Sequence, residues 1–262
     1  DSQFDSAVSD YANQEDIYAA YLLGRWDSEV LRVIGGVRFE RTENVISANT
    51  VTLVEEDATF NGVVLTDDTV FVTSNGFKRS YDDWLPSLNI RFEPQRSLVF
   101  RAAGYRSIVR PNLQDLAPRF AVEQNDDNER EGEFGNPNLQ PYEAWNFDAS
   151  AEYYFSSNGA LTANVFYKDI KNFIVDSYDD NGGTLFGIDY DEAVIPINGP
   201  SAEVFGVELG FAQAFTFLPD PLDGVLVNFN YTYTDATGKV PSDGDVTNRF
   251  PSRGDLSRPL SG

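Results

Sequence analysis

The sequence has no cysteine and no histidine among its 262 residues. Without cysteine there is no disulfide framework, no thiolate metal site and no cysteine nucleophile. The absence of histidine excludes the Ser-His-Asp arrangement and the usual zinc sites. No apolar run reaches the ~18 residues that a membrane-spanning helix requires. The chain is therefore not expected to be a helical membrane protein or a thiol enzyme.

Basic residues are also scarce, because 19 Lys and Arg stand against 42 Asp and Glu, for a formal net charge of -23. A nucleic-acid-binding protein needs clustered Lys and Arg against phosphate, so nucleic acid is not expected as a partner. Anchoring to anionic lipid through basic patches is disfavoured for the same reason. The N-terminus, Asp1-Ser2-Gln3-Phe4, is not a signal peptide, so an exported protein has lost one or the chain begins in mid-protein.

What the sequence does contain is long segments of alternation. From Glu143 to Phe155, apolar residues occupy every second position and most positions between them are polar. Successive side chains of a strand point to opposite faces, so this strand has one apolar and one polar face. A soluble sheet shows the same alternation when its apolar face covers a core. Repetition over many long strands, with aromatic residues at the strand ends, favours lipid as the neighbour of the apolar face.

The alternation predicts an all-β fold, an antiparallel meander of about eight strands that forms one partial transmembrane β-barrel domain over residues 1–262. Tight turns rich in Pro, Gly, Asn, Asp or Ser join the strands in pairs, and long segments lie near 43–78, 110–140, 176–200 and 237–262. Short turns at one rim and long extracellular loops at the other are typical of a bacterial outer-membrane barrel. The predicted strands are 15–26, 29–42, 79–93, 96–109, 141–155, 160–175, 201–217 and 223–236.

Charged residues fall on the face opposite to the apolar one. An Arg or Lys on the lipid side at mid-bilayer would cost ~2–4 kcal/mol, and far less in a wet lumen. The lumenal charges are expected to pair across strands or to face a plug inside the barrel; they include Arg91, Arg101, Asp148 and Glu152. An eight-stranded barrel is filled by its own side chains, whereas a wide ligand path needs many more strands. The chain is therefore predicted to be a fragment of a larger wall.

Three stretches resemble the C-terminal barrel region of TonB-dependent outer-membrane receptors of the proteobacterial type. The first, RAAGYRSIVRPNLQDLAP at 101–118, is similar to that family's strand ending in Arg-Pro and the Asp-Leu-Ala-Pro step after it. The second, GNPNLQPYE at 135–143, is similar to its lead-in to the next strand, with Tyr142 in the usual Glu place. The third is FYKDIKNFI at 166–174, followed by AEVFGVEL at 202–209. The resemblance covers roughly residues 15–236.

The resemblance implies energy-dependent uptake of a scarce nutrient, either a saccharide or a metal chelate such as a siderophore. In that family a 22-stranded barrel encloses an N-terminal plug, and an inner-membrane complex supplies the energy. The plug domain and the closing strands are not present in this sequence. The Asp-Leu-Ala-Pro step is most similar to receptors of aquatic and plant-associated proteobacteria, several of which take up saccharides. The implied partners are outer-membrane lipid and lipopolysaccharide, the plug of the same full-length protein, the energy-transducing complex and a small-molecule nutrient.

Two arginines near the expected outer mouth, Arg106 and Arg110, are candidates for contact with an anionic siderophore or with lipopolysaccharide phosphates. A guanidinium forks onto planar anions, which makes Arg suitable for either contact. Asn112 and Asp115, in the loop that follows, complete this candidate ligand-binding group. Pairing with loop carboxylates is the alternative role of the two arginines.

Acidic loops supply the other candidates. Carboxylates stand beside aromatic rings in a second ligand-binding group, Tyr178, Asp179, Asp180 and Tyr190. This suits a sugar, whose hydroxyls need partners and whose C–H faces can lie on rings. A third group offers clustered oxygen ligands to calcium without the spacing of a defined calcium loop, and it consists of Asp126, Asp127 and Glu129. Ordinary solvated loops are the alternative in both cases, and no other cofactor is expected.

No enzyme is expected. Carboxylate pairs such as Asp82/Asp83 and Glu55/Glu56 are adjacent in sequence, whereas glycosidase carboxylates face each other ~5–10 Å apart across a sugar. Two alternatives to the transport receptor stay open. One is a secreted, soluble, acidic β-sandwich that binds carbohydrate and closes its core with the apolar strand faces. The other is a small autonomous barrel that acts as a passive outer-membrane pore.

Overall fold

The computed structural model describes residues 2–117, 120–185, 187–216, 218–219 and 222–239. The chain is nearly all strand, arranged in a curled sheet. The two helices in the described ranges are α1 (Ser2–Ser9) and α2 (Leu113–Leu116), and neither is long and apolar enough to cross a membrane. The strands are β1 (Tyr11–Asp27), β2 (Leu31–Val54), β3 (Thr59–Phe60), β4 (Val63–Val64), β5 (Thr69–Gln95), β6 (Leu98–Val109), β7 (Phe120–Gln124), β8 (Arg130–Phe134), β9 (Tyr142–Ser156), β10 (Gly159–Lys171), β11 (Ile174–Asp179), β12 (Gly183–Leu185), β13 (Ile188–Tyr190), β14 (Glu192–Asn198), β15 (Ser201–Phe215) and β16 (Val225–Lys239).

Eight long strands form the meander that the alternation predicts. β1, β2, β5, β6, β9, β10, β15 and β16 each pair antiparallel with the next in this order. Short turns join β1 to β2, β5 to β6 and β9 to β10 at one rim. Phe217, at the end of one predicted strand, and residues 240–262 lie outside the described residues.

The apolar face of this meander is exposed. Phe147, Phe229 and Tyr231 expose 50%, 58% and 50% of their surface. A soluble sandwich would bury these side chains in its core, so the exposed face is that of a sheet that borders lipid. Aromatic residues bound it above and below: it runs from Trp84 to Phe92 on β5 and from Trp145 to Tyr153 on β9. Each interval is nine residues long, in agreement with the ~9–11 that a tilted strand needs to cross the hydrocarbon.

The β2–β5 pair continues far beyond the ends expected from the sequence. Its ladder is unbroken from Leu31 opposite Phe92 to Val54 opposite Thr69. Residues 43–54 and 69–78, expected to be loop, therefore form a ribbon that projects from the long-loop rim. The ribbon holds together because β-branched residues recur along it and its inner face is covered; Asn44 and Ile46, for example, are almost fully buried.

The long loops contain a further set of short strands. β1 begins at Tyr11, opposite Ala48, and from Thr50 onward β7 occupies the same edge of β2 in parallel orientation. β8 pairs antiparallel with β7, β14 pairs parallel with β8, and β11 pairs antiparallel with β14. The hairpins β3–β4 and β12–β13 are separate two-stranded sheets. Much of the expected loop thus carries its own hydrogen-bonded structure.

Two buried clusters lie among these long-loop elements. The first consists of Phe120, Val122, Phe134, Tyr190 and Ala193. The second brings Ile46 of β2 together with Leu116 of α2 and Leu139. Both therefore stabilise the long-loop end, whereas the apolar faces of the eight long strands meet no such core in the described part of the chain.

Candidate functional site on the inner face

The inner face of β2 carries an ion-pair network just beyond the upper aromatic residues. Glu40 and Thr42 are buried there, one and three positions past Phe39. Arg110, which directly follows β6, pairs with the Glu40 carboxylate and lies 3.8 Å from the nearest oxygen of Glu15. Its Nη2 also donates to Thr42 Oγ1 over 3.3 Å. The start of the 110–140 segment is thereby tied to the inner face of β1 and β2.

The charges of this network stabilise one another. Burial raises the pKa of the Glu40 carboxyl, but hydrogen bonds from Arg38 and Arg110 outweigh that effect and leave the pKa below its usual value. Burial likewise lowers the pKa of Arg110, and the bond to Glu40 outweighs this, so the net change is upward. Each ion is held by its partner, so Arg110 pairs with carboxylates of the strands β2 and β1 and not with the loop carboxylates expected as the alternative.

Arg106 lies where two neighbouring strands separate. The β5–β6 ladder ends at Ser87 opposite Tyr105, while β6 continues beside β9. Arg106 fills the gap, because its Nη1 donates to the Trp84 carbonyl over 3.0 Å and its Nη2 lies 2.8 Å from a Glu143 oxygen.

Asp83 adds a buried carboxylate at the same gap. Its Oδ1 lies 3.8 Å from Arg106 Nη2, while its other oxygen has no hydrogen-bond partner among the described residues. Burial raises the pKa of this carboxyl. The outer mouth therefore contains a buried carboxylate, Asp83, whose negative charge is only partly balanced by Arg106.

Asn112 and Asp115 lie in a joint between two of the family-like stretches. Asn112 is the N-cap of α2, and its side chain accepts from Gln114 N over 3.3 Å. The carbonyl of Asp115 accepts from Asn136 N over 2.6 Å. Gly135 approaches so closely that a Cβ there would lie 1.7 Å from the Ala117 carbonyl oxygen. The Asp-Leu-Ala and Gly-Asn-Pro sequences thus hold each other in place; Pro118 lies outside the described residues.

Further bonds fix this joint to the ribbon and to the next loop. Arg79, on the inner side of β5, donates to the carbonyls of Pro137, over 3.1 Å, and Leu139. Asn198, at the end of β14, exchanges bonds with Gln140 in both directions, 2.7 and 2.9 Å long. Arg79 and Asn198 were not among the sequence candidates. The inner-face position of Arg79 follows from alternation, whereas no local signal marks Asn198.

The second candidate group lies on the β11–β14 arm and its neighbours. Tyr178 is exposed and its hydroxyl bonds to Glu192, which raises the Tyr178 pKa to about 12. Tyr190 is 9% exposed and packs on Phe134 with ring centroids 5.4 Å apart. Its hydroxyl donates to Asp179 over 3.0 Å, and the exposed Asp180 accepts from Asn181. Tyr178 and Asp180 thus face solvent, while Tyr190 belongs to a packed cluster.

Asp126, Asp127 and Glu129 lie in the turn between β7 and β8. Two neighbouring amides shape this turn: Asn125 accepts from Glu129 N over 2.8 Å, and Asn128 accepts from Thr59 N over 2.7 Å. No group of three carboxylate, histidine or cysteine side chains in the described ranges is arranged to hold a metal ion. The calcium site stays a prediction.

A second charged region lies lower on the inner face, near the short turns. Arg32, Arg91 and Arg101 follow one another across β2, β5 and β6. With Asp148 and Glu208 they line a hollow of about 550 Å³. The inner face is therefore polar at both ends, so it can hold water, a polar segment or a polar solute.

A family model described as TonB dependent receptor-like, beta-barrel, matches residues 1–258. No curated protein sequence matches the chain. The family match covers nearly the whole sequence, including the three stretches on which the resemblance rested.

Solved structures share this fold at low sequence identity. The copper transporter OprC matches with a TM-score of 0.56 and 15% identity over 86% of this chain and 30% of its own. The ferric-catecholate import receptor Fiu of E. coli K12 matches with a TM-score of 0.53 and 17% identity, over 89% of this chain and 29% of its own. The FrpB iron transporter of Neisseria meningitidis matches with a TM-score of 0.53 and 12% identity, over 87% of this chain and 27% of its own. The chain spans less than a third of the length of these proteins.

Proposed function

Because the chain belongs to the TonB-dependent receptor β-barrel family, we propose that it forms the C-terminal part of the wall of a receptor that imports a scarce nutrient. Members of this family are transporters rather than enzymes, and their barrels lie in the bacterial outer membrane. The observation that carries the proposal is the two-sided wall, with exposed Phe147 and Phe229 outside and buried Glu40 and Asp83 inside.

The proposed cargo is a metal ion or metal chelate. The structural relatives named above are a copper transporter, a ferric-catecholate receptor and an iron transporter. They support the fold directly and this cargo class only by analogy. A saccharide is the competing cargo, for which the exposed Tyr178 beside carboxylates is the relevant feature.

The complete receptor is proposed to close a barrel of about 22 strands around a plug. The eight long strands described here supply only part of such a wall, and β1 and β16 each have one edge outside the meander. The inner polar face would then meet the plug of the same protein, and an inner-membrane complex would supply energy through the plug.

Lipopolysaccharide is the proposed outer partner just above the hydrocarbon. Arg41 lies two positions beyond Phe39, on the same outer face. Its Nε lies 2.9 Å from a Glu43 oxygen and its Nη1 3.4 Å from an Asp82 oxygen. This charged group directly borders the upper aromatic residues, where lipid headgroups lie.

Uptake by cells tests the proposal. A strain without the full-length gene is compared with the same strain carrying it, using radiolabelled iron chelate, copper and a labelled oligosaccharide, with and without a protonophore. We expect gene-dependent uptake of iron or copper that the protonophore abolishes. Gene-dependent uptake of the saccharide alone contradicts the cargo, and uptake insensitive to the protonophore indicates a passive pore. Recovery of the protein from the medium as a soluble monomer contradicts the receptor itself.

A further inference from the structure

The ribbon that projects from the long-loop rim has one open edge. Between Thr69 and Leu85, β5 pairs with β2 on one side, whereas β6 joins its other side only from Ser87 downward. We propose that this open edge of β5 binds an extended segment of a partner protein outside the cell, as an added β-strand. The inference goes beyond import, because it assigns a macromolecular partner to a surface above the apolar band.

The register identifies the backbone groups that face the open edge. The Trp84 carbonyl accepts from Arg106 Nη1, so it points away from β2. Pro86, which has no N–H, has the same parity, as expected where no bond to β2 is lost. Because the ladder is unbroken, every second residue above Trp84 points the same way: Asp82, Ser80, Lys78, Gly76, Ser74, Val72 and Val70. In the described part of the chain, no backbone hydrogen bond joins these residues to a further strand.

This edge lacks the features that usually keep strand edges from pairing. Natural edge strands are short, covered, or interrupted by proline, a bulge or a charge. Residues 69–77, with the sequence TVFVTSNGF, contain no charge and no proline, and their ladder with β2 has no bulge. Ser74 and Gly76 are exposed, and Val72 exposes 47% of its surface. The open edge is therefore long, regular and accessible, which is what strand addition requires.

The opposite edge of the same ribbon already carries an added strand. β7, from the distant 110–140 segment, pairs with β2 between Thr50 and Val54. Apolar residues of β7 alternate with others: Phe120 and Val122 pack in a buried cluster, while Glu123 is exposed. The ribbon thus accepts a short strand of mixed apolar and acidic character at one edge, and the described loops leave the other edge unoccupied.

Charge indicates the chemistry of the added strand. Lys78 is exposed beside the open edge and has no ion pair in the described part of the chain. An acidic residue of the added strand would pair with Lys78 across the ladder. β-Branched or aromatic residues at alternate positions would extend the outer face at Val45 and Val72, which expose 44% and 47% of their surface.

Symmetry excludes a second copy of this receptor as the occupant. Two receptors in one membrane point outward in the same direction, so a two-fold axis between them lies along the membrane normal. That axis brings each backbone group of β5 to the same height as its own copy, so that N–H would face N–H and C=O would face C=O. A ladder cannot form in this arrangement, because each donor needs an acceptor. The occupant is therefore a segment of a different protein.

Fluorescence anisotropy of a labelled peptide with the purified full-length receptor in detergent tests the inference. The probe has the sequence of residues 43–54, ENVISANTVTLV, which already complements 80–69 in the β2–β5 ladder. We expect saturable binding by the wild type. Gly76→Pro removes an N–H of the open edge without breaking a bond to β2, and should weaken binding at least tenfold. Gly76→Ala keeps the N–H, has 3.9 Å of clearance and should bind as the wild type does. Lys78→Glu should weaken binding about threefold through repulsion of the acidic end of the probe.

Equal affinity of the wild type and Gly76→Pro overturns the proposal, as does absence of binding by the wild type. Receptor dimers that Gly76→Pro abolishes, seen by analytical ultracentrifugation, would assign the edge to a second copy and overturn it too. If Gly76→Pro does not fold, as judged by heat-modifiable electrophoretic mobility, a probe with alternate amides N-methylated decides: affinity equal to that of the parent peptide contradicts strand addition. Peptide binding without nutrient uptake in cells refutes the import function alone, and uptake without peptide binding refutes this inference alone.

Discussion

Phe39 and Trp84 lie directly opposite each other on β2 and β5, with ring centroids 4.9 Å apart. Trp84 exposes 57% of its surface on the apolar outer face. Immediately beyond this pair the outer face becomes charged, with Arg41 opposite Asp82. The pair therefore marks the level at which the wall leaves the hydrocarbon, since aromatic side chains collect at that interface.

The two faces of β9 should respond differently to the same charge. Ala149 lies midway between Trp145 and Tyr153 on the outer face, and Ser150 is its neighbour on the inner face. We expect Ala149→Arg to destabilise the receptor folded in lipid vesicles by ~2–4 kcal/mol, because a charge at mid-bilayer is poorly solvated. Ser150→Arg, the matched control, should cost less than ~1 kcal/mol, because on the inner face the new charge meets only the like-charged Arg101 opposite it. Urea titration of the vesicle-inserted receptor measures both, and equal effects would contradict the assignment of faces.

Gly206 makes room for an aromatic ring on the inner face. It lies opposite Phe166 on the β10–β15 ladder, and a Cβ on Gly206 would lie 2.1 Å from that ring. We expect Gly206→Ala to destabilise the receptor by ~1–3 kcal/mol through overpacking. Adding Phe166→Ala should recover part of the loss. Gly24→Ala, where the nearest atom is 3.9 Å away, is the control. A neutral Gly206→Ala in the same urea titration would argue against this packing.

The joint between Ala117 and Gly135 should depend on the glycine. A Cβ at Gly135 would collide with the Ala117 carbonyl, so Gly135→Ala must break the bond from Asn136 N to Asp115 O. We expect hydrogen exchange at 113–117 and 135–140 to accelerate about tenfold, while the membrane strands stay protected. Gly76→Ala, with 3.9 Å of clearance, should leave these rates unchanged. Unaltered exchange in Gly135→Ala would show that the two stretches are not joined.

Acid should loosen the tie between Arg110 and β2. The pKa of Glu40 lies below the usual 4.5, because bonds from Arg38 and Arg110 outweigh the opposing effect of burial. A carboxyl of this kind contributes stability that is complete above its unfolded pKa and is lost as pH falls through the folded value. Proteolysis of the 110–140 segment should therefore speed up as pH falls below about 4.5.

Substitutions show whether protonation of Glu40, and not of another carboxyl, causes the effect of acid on the 110–140 segment. Glu40→Gln should loosen the segment already at neutral pH and flatten the acid response. Glu43→Gln, on the outer face, should leave the response as in the wild type. Asp83 acts in the opposite sense, since burial raises its pKa and its protonation in acid favours the folded form. A response unchanged by Glu40→Gln would assign the acid effect to another group.

The order of the strands could be predicted because alternation is a local property. Trp145, Phe147 and Tyr153 share a face whatever the rest of the chain does. Residues 43–54 and 69–78 escaped prediction for a related reason: each strand of the ribbon is stabilised by the other, across a separation that no single segment reveals. β-Branched residues such as Val51 and Val72, which lie opposite each other, were the available signal.

Roles in the long loops were harder to predict, because they depend on partners distant in sequence. In the sequence, Tyr190 is a candidate ring for a sugar. In the fold, β7, β8 and β14 place Phe134 and Ala193 against it, so the ring belongs to a packed cluster. Asn112 resembles a ligand contact, yet its side chain caps α2. Arg106 and Arg110 lie at the end of β6, but the strand separation that Arg106 fills exists only once β5 and β6 are paired.

Depth-dependent fluorescence quenching of Trp84 is the most direct test of the lipid-facing wall. The Trp84 signal is the difference between the wild-type full-length receptor and its Trp84→Phe variant, both in vesicles of brominated phospholipid. We expect strong quenching by bromine near the headgroup, weaker quenching by bromine at the chain end, and little effect of aqueous iodide. A Trp84 signal insensitive to brominated lipid, in a receptor that stays monomeric and folded in plain buffer, would contradict the account.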